Sequence, residues 1–194
     1  KSLKAGVGKL LWLARMTRPD LSWVTNHLGG FCADPRPEHW RLFIRTLRYL
    51  KKTKHYVLRY RRAKSKGAYT MMTDSDWAPK ESSKRKSTTG YAFLLAGGAV
   101  SWKSRKQKPV TQSSAEAELV ALATGAQEAM WLSRFLKELD LHGGKPLPIK
   151  VDNNAAGMQI ANNRMLSERT KHLDVKYFAV RDYISNGKMT VTRV

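Results

Sequence analysis

The chain has 194 residues, 42% of them hydrophobic, and sets 36 Lys and Arg against 15 Asp and Glu for a formal net charge of +21 at pH 7. That length builds one good core, or one core with a small appended unit, and the charge far exceeds what solubility needs, so phosphate backbones are the expected partners. No run of about 18 apolar residues occurs, which excludes a membrane-spanning helix, and the single Cys32 excludes an intrachain disulfide or a cysteine-based zinc cluster.

From Val7 to about Leu50 the pattern is helical, interrupted at Thr17-Arg18-Pro19-Asp20 and again at Ala33-Asp34-Pro35-Arg36-Pro37. In the clearest helix Trp40, Phe43, Ile44, Leu47 and Leu50 recur at three- and four-residue steps and make one apolar stripe. Arg41, Arg45, Arg48 and Lys52 make a second, basic stripe. Residues 36–66 hold twelve Lys and Arg and one acid, so opposite-sign pairing cannot account for that stripe, and contact with phosphates is expected of it. Tyr56–Arg61 alternates like a short strand, and Arg62–Gly67 reads as an exposed linker. The boundary is placed there, with a basic helical unit over 1–66 and a second domain over 67–194.

Downstream the pattern predicts a strand near 69–76, a basic loop at 79–88, and a hairpin of Thr89–Ala96 and Ala99–Lys103 turning on Gly97-Gly98. A long helix is expected from about Ser114 to Leu139. After Gly143-Gly144, Leu147–Asp152 reads as a strand, Asn154–Ala161 as a short helix, Lys171–Ser185 as a longer helix and Lys188–Val194 as a last strand. Antiparallel strands followed by alternating helix and strand indicate an α/β fold, a mixed sheet with helices packed on it. The five histidines show no metal-ligand spacing, and the basic residues are spread over the chain rather than confined to one amphipathic helix, so a membrane surface is not the expected partner. The opening residues lack the pattern of a cleaved signal, and a reducing compartment is the natural expectation.

Three acids stand at the edges of these elements: Asp74 near the end of a strand, Glu118 in the first turns of the long helix, and Asp152 at the end of another strand just before a helix. Open α/β sheets place their sites at such strand ends. Ser113 with Glu116 three residues on fits a capping box, which gives Glu116 a structural task. Glu118 instead shares a helical face with Leu122 and Ala126 and would point back toward the sheet. Each acid alone reads as a turn former or cap. Together they would form an acidic pocket in a basic protein, suited to Mg²⁺ ions that neutralise a scissile phosphate and activate a water.

The ordered motifs Thr73-Asp74-Ser75, Lys86-Ser87-Thr88-Thr89-Gly90-Tyr91, Ser101-Trp102-Lys103-Ser104-Arg105-Lys106-Gln107, Ser113-Ser114-Ala115-Glu116-Ala117-Glu118, Val151-Asp152-Asn153 and Arg169-Thr170-Lys171-His172 resemble the ribonuclease H region of copia-type LTR retrotransposon polyproteins. Upstream, Thr17-Arg18-Pro19-Asp20, His39-Trp40 and Leu47-Arg48-Tyr49-Leu50-Lys51 resemble the thumb and connection that follow the polymerase palm in the same polyproteins. Almost the whole chain is covered, and the motifs are specific together though weak singly.

The resemblance implies an RNase H-like fold, a mixed five-stranded sheet flanked by helices and preceded by a small helical segment. It also implies two-metal cleavage of the RNA strand of an RNA/DNA hybrid by four acids. By motif the first three are Asp74, Glu118 and Asp152, as catalytic residues and metal ligands of two Mg²⁺ or Mn²⁺ ions. The fourth belongs beyond the strand matching Lys188–Val194, so the domain is expected to lack its final helix. Asp174 reads as a charge complementing a helix dipole rather than as a substitute, Asp76 as a second acid on the face of Asp74, and His172 as structural. Lys84, Arg85, Lys86, Lys103, Arg105 and Lys106 join Arg41, Arg45 and Arg48 as the expected nucleic-acid contacts, while Trp77 and Trp102 divide between stacking and core roles. The implied partners are the hybrid and the rest of a reverse transcriptase polyprotein or a larger complex, and the implied location is the cytoplasm, the nucleus or both. The alternative from a different class is a non-catalytic nucleic-acid-binding or assembly component that retains this fold.

Overall fold

The structure is a computed structural model that describes residues 2–62, 66–77, 86–108, 110–111, 113–152 and 171–194, with the backbone alone over 171–177. Two compact units divide the chain, Lys1–Arg59 with Lys103–Arg105, and Tyr60–Trp102 with Lys106–Val194. No helix among the described residues is long and apolar enough to cross a membrane.

The first unit opens with α1, Leu3–Met16, whose N-terminus is capped by the Ser2 hydroxyl accepting from the Ala5 amide at 3.3 Å. Its buried residues, Leu3, Val7, Leu10 and Ala14, repeat at helical spacing and define the inward face. A 3₁₀ turn at Pro19–Leu21 leads into α2, Ser22–Gly29, and Pro37 begins α3, Pro37–Lys52. Leu42 and Phe43 of α3 pack on the cluster of Leu3, Val7 and Leu28. The sequence stripe of α3 therefore divides. His39 and Thr46 lie on the buried side, while Trp40, Ile44 and Leu47 are exposed. Arg18 closes the unit from within: its guanidinium donates to the Thr53 carbonyl (3.1 Å) and hydroxyl (2.7 Å) and forms a bidentate pair with Asp20 (3.0 and 2.7 Å).

The expected strand at Tyr56–Arg61 does not form. Residues alternating in polarity need a neighbouring strand to complete their hydrogen bonds, and here the segment is tied to the sheet by isolated bonds, Arg61 N–H to Ala96 O and Tyr60 Oη–H to Ala99 O.

The second unit is a five-stranded sheet in the order β3-β2-β1-β4-β5. The strands are β1, Tyr69–Asp76; β2, Thr88–Leu95; β3, Gly98–Lys106; β4, Leu147–Val151; and β5, Met189–Arg193. β1 runs antiparallel to β2 and parallel to β4, which is parallel to β5. The β2–β3 turn centres on Ala96-Gly97, one residue earlier than the sequence suggests. Both residues hold positive φ, 53° and 84°, as a tight two-residue hairpin turn requires, and Gly98 begins the next strand.

Helix α4, Ser114–Glu138, lies on the sheet, and α5, Lys171–Ser185, precedes β5. Alternate residues of β1 (Tyr69, Met71), β4 (Leu147, Ile149, Val151) and a face of α4 (Leu119, Leu122, Ala126, Ala129) form the core with Phe93, Val180 and Met189. The expected helix at Asn154–Ala161 lies outside the described residues. A mixed sheet in this order with helices packed on it is the RNase H-like fold.

Candidate active site

The parallel register of β1 and β4 pairs Met71 with Ile149, Met72 with Lys150 and Thr73 with Val151. The residues that follow, Asp74 and Asp152, thus stand at the carboxyl ends of two neighbouring parallel strands, where open α/β sheets gather their sites. Each strand delivers its acid because the preceding residue, Thr73 or Val151, is anchored in the interior.

Glu118 arrives from above. The Ser113 hydroxyl caps α4 by accepting from the Glu116 amide at 3.1 Å, which places Glu116 at the helix mouth and Glu118 half a turn further on. One carboxylate oxygen of each of Asp74, Glu118 and Asp152 lies within 4.8 Å of the others. Asp74 and Asp152 are exposed and Glu118 is half-buried, so the cluster opens to solvent.

Like charges this close oppose the ionisation of Asp74 and Glu118. Burial, then repulsion from Asp152 and Asp76, raises the Asp74 pKa above the ordinary carboxylate range, against the Ser75 N–H that donates to Asp74 Oδ1 at 2.8 Å. Glu118 is raised likewise by burial and by Asp74 and Asp152, with the Ser75 hydroxyl opposing the shift by donating to Glu118 Oε1 at 2.8 Å. A divalent cation reverses this repulsion. The donors are all carboxylate oxygens, the set hard cations prefer, and ligands at ~2.1 Å from Mg²⁺ lie up to about 4.2 Å apart. The 4.8 Å spread needs only a small side-chain adjustment, so the residues fit a metal.

Asp76 is exposed and joins the site through its repulsion of Asp74 rather than as a member of the cluster. Arg41, Arg45 and Arg48 are exposed on α3, and Lys86, Lys103, Arg105 and Lys106 are exposed as well. Trp77 is exposed and Trp102 half-buried. Lys84 and Arg85 lie outside the described residues, as do the side chains of His172 and Asp174.

Sequence reasoning passed over two residues. Gln107 is buried, and its amide donates to Thr89 Oγ1 and to the Ala117 carbonyl, each at 2.9 Å, tying β2 to the first turn of α4. Ser75 touches two of the three acids. Gln107 ends the motif Ser101–Gln107 and Ser75 ends the motif Thr73-Asp74-Ser75, and neither motif names the partner its side chain binds.

No protein-family model matches the chain. The retrovirus-related Pol polyprotein from transposon TNT 1-94 of Nicotiana tabacum is 36% identical over 190 residues, 98% of this chain and 14% of the polyprotein. The chain therefore spans about a seventh of that relative's length. Secreted RxLR effector protein 161 of Plasmopara viticola is 44% identical over 129 residues, 66% of this chain and 89% of that protein. Among solved structures, the foamy viral protease-reverse transcriptase dRH in complex with double-stranded DNA matches 99% of this chain and 31% of its own, with a TM-score of 0.56 at 14% identity.

Proposed function

Because the chain belongs to the retrovirus-related Pol polyproteins of copia-type transposons and carries an RNase H-type domain, we propose that it hydrolyses the RNA strand of RNA/DNA hybrids. The observation that carries this reading is the convergence of Asp74, Glu118 and Asp152 from three separate elements to within 4.8 Å. Divalent cations, two Mg²⁺ or Mn²⁺ ions, would neutralise the scissile phosphate and lower the pKa of a water so that, once deprotonated, it can attack. Asp74 and Asp152, fixed at adjacent strand ends, would hold and orient those ions, and Glu118 would join them from the helix side. Exposed Arg41, Arg45, Arg48, Lys86, Lys103, Arg105 and Lys106 bind phosphates and position the hybrid without reading its sequence. The hybrid is distinguished by its minor-groove shape and 2′-hydroxyls.

A labelled RNA/DNA hybrid incubated in Mg²⁺, and separately in Mn²⁺, tests the proposal. Metal-dependent loss of the RNA strand alone is expected, absent from Asp74→Asn and from Asp152→Asn, with hybrid binding retained in both. An Asp74→Asn protein with full activity overturns the assignment.

One observation favours a second reading. The Plasmopara relative, matched over 89% of its length, is named for a secreted effector rather than an enzyme. On this reading the chain binds nucleic acid without cutting it, and the same assay then shows hybrid bound and both strands intact.

A further inference from the structure

We propose that Ser75 is the positioning residue of this site, holding Glu118 in the orientation that ligates a divalent cation; the inference rests on reading the three acids as a metal-dependent nuclease centre. Alternation along β1 puts Met71, Thr73 and Ser75 on one face, and the first two of these meet α4 at Gly125. Gly125 lies seven residues, two helical turns, beyond Glu118, so both occupy the same side of the helix. A Cβ at Gly125 would stand 2.2 Å from Thr73 Cγ2, so the absence of a side chain lets α4 settle closely on β1. That close approach brings Glu118 within reach of the strand's last helix-facing residue, and the Ser75 hydroxyl donates to Glu118 Oε1 at 2.8 Å.

Ser75 has a second tie, its backbone N–H on Asp74 Oδ1 at 2.8 Å. One residue thereby fixes two acids relative to each other, and the hydroxyl is the only part of it that a substitution can remove cleanly. Glu118 is a long side chain pressed by two like charges, Asp74 and Asp152. Without a donor it would rotate away from them, and the cation would have to gather it back. Groups that hydrogen-bond to a metal-ligating side chain change metal affinity or activity by about 10- to 100-fold when removed.

The test uses the full chain and Mn²⁺ alone as the probe, titrated calorimetrically, alongside the rate of hybrid cleavage. Ser75→Ala is expected to weaken Mn²⁺ binding by about 10-fold and to lower kcat with KM for the hybrid unchanged. Its thermal unfolding should stay at the wild-type temperature, and Ser75→Thr, which restores the hydroxyl, should recover the affinity. In a Glu118→Gln background the Ser75→Ala change should add nothing, because Ser75 acts through Glu118. If the wild type binds Mn²⁺ and cleaves while Ser75→Ala matches it in both, the positioning role is overturned and the nuclease reading stands. A loss that Thr does not rescue, or that persists undiminished beside Glu118→Gln, also overturns it. A wild-type chain that neither binds Mn²⁺ nor cleaves removes both proposals together.

Discussion

Gly125 and Thr73 meet without room for a methyl group: a Cβ built on Gly125 falls 2.2 Å from Thr73 Cγ2 and 3.7 Å from Met71 Cγ. Two effects compete in Gly125→Ala. Alanine gains up to ~1 kcal/mol of helix propensity over glycine, whereas overpacking a filled core costs about 1–3 kcal/mol. Thr73 is buried on the central strand, paired on both sides, and its β-branched side chain has few rotamers to retreat into. Overpacking is expected to win, with a net loss of roughly 1–2 kcal/mol in urea unfolding. A neutral or stabilised variant would show that α4 can lift from β1 freely, and the close contact would then not be what sets the height of Glu118.

The raised pKa values of Asp74 and Glu118 fix the sign of a pH dependence. Both groups keep their protons to higher pH in the folded chain than in the unfolded one. Between those two ranges the folded state binds more protons, so the stability these groups contribute is fully present below the unfolded carboxylate pKa and is lost as pH rises through the folded values. In chelator, the unfolding temperature of the wild type should therefore fall relative to that of Asp74→Asn as pH rises from about 4 toward 7. Added Mg²⁺ should close the gap from the wild-type side, since a cation binding only the folded state stabilises it. Parallel pH profiles of the two proteins in chelator would contradict the repulsion described at the site.

Arg18 makes a stability prediction for the first unit. Its guanidinium is buried, donates twice to Thr53 and twice to Asp20, and lies 5.6 and 5.7 Å from the ring centroids of Tyr49 and Tyr56. Tyr49 also donates to Asp20 at 2.9 Å, so removing the arginine strips partners from several groups at once. Arg18→Ala should cost about 3 kcal/mol, near the lower end for breaking a buried ion pair because Asp20 stays in contact with solvent. Arg18→Lys should recover little of this, since an ammonium cannot reproduce the planar fork. Chemical denaturation of the three proteins measures it, and a lysine variant as stable as wild type would sink the argument.

Periodic elements were legible in the sequence because their pattern is local. α5 has the bounds that its spacing predicts, and the strand ends carrying Asp74 and Asp152 stand within one residue of expectation. The failures are non-local. Tyr56–Arg61 alternates as strands do, but alternation cannot report whether a neighbouring strand is there to pair with. The apolar stripe of α3 was visible, yet the helix turns His39 and Thr46 inward, a choice set by how Leu42 and Phe43 fit Leu3, Val7 and Leu28. Ser75 was invisible as a partner of Glu118 for the same reason: 43 residues separate them in the chain, and a serine beside an aspartate reads as a turn or strand end.

The exposed arginines of α3 yield a measurement that separates phosphate contact from a merely solvated face. Arg41, Arg45 and Arg48 recur at helical spacing, and all three side chains are exposed. If each neutralises one phosphate, replacing all three by Gln removes about three released counterions. The slope of log affinity against log salt for the hybrid should then flatten by roughly 2–3. Binding should weaken equally for hybrids of unrelated sequence, because phosphate contacts carry no base information. Cleavage at saturating hybrid should persist in the triple variant, since none of the three residues belongs to the acid cluster. An unchanged salt slope would mean that this stripe faces water in the complex and that the remaining exposed cations carry the backbone contacts.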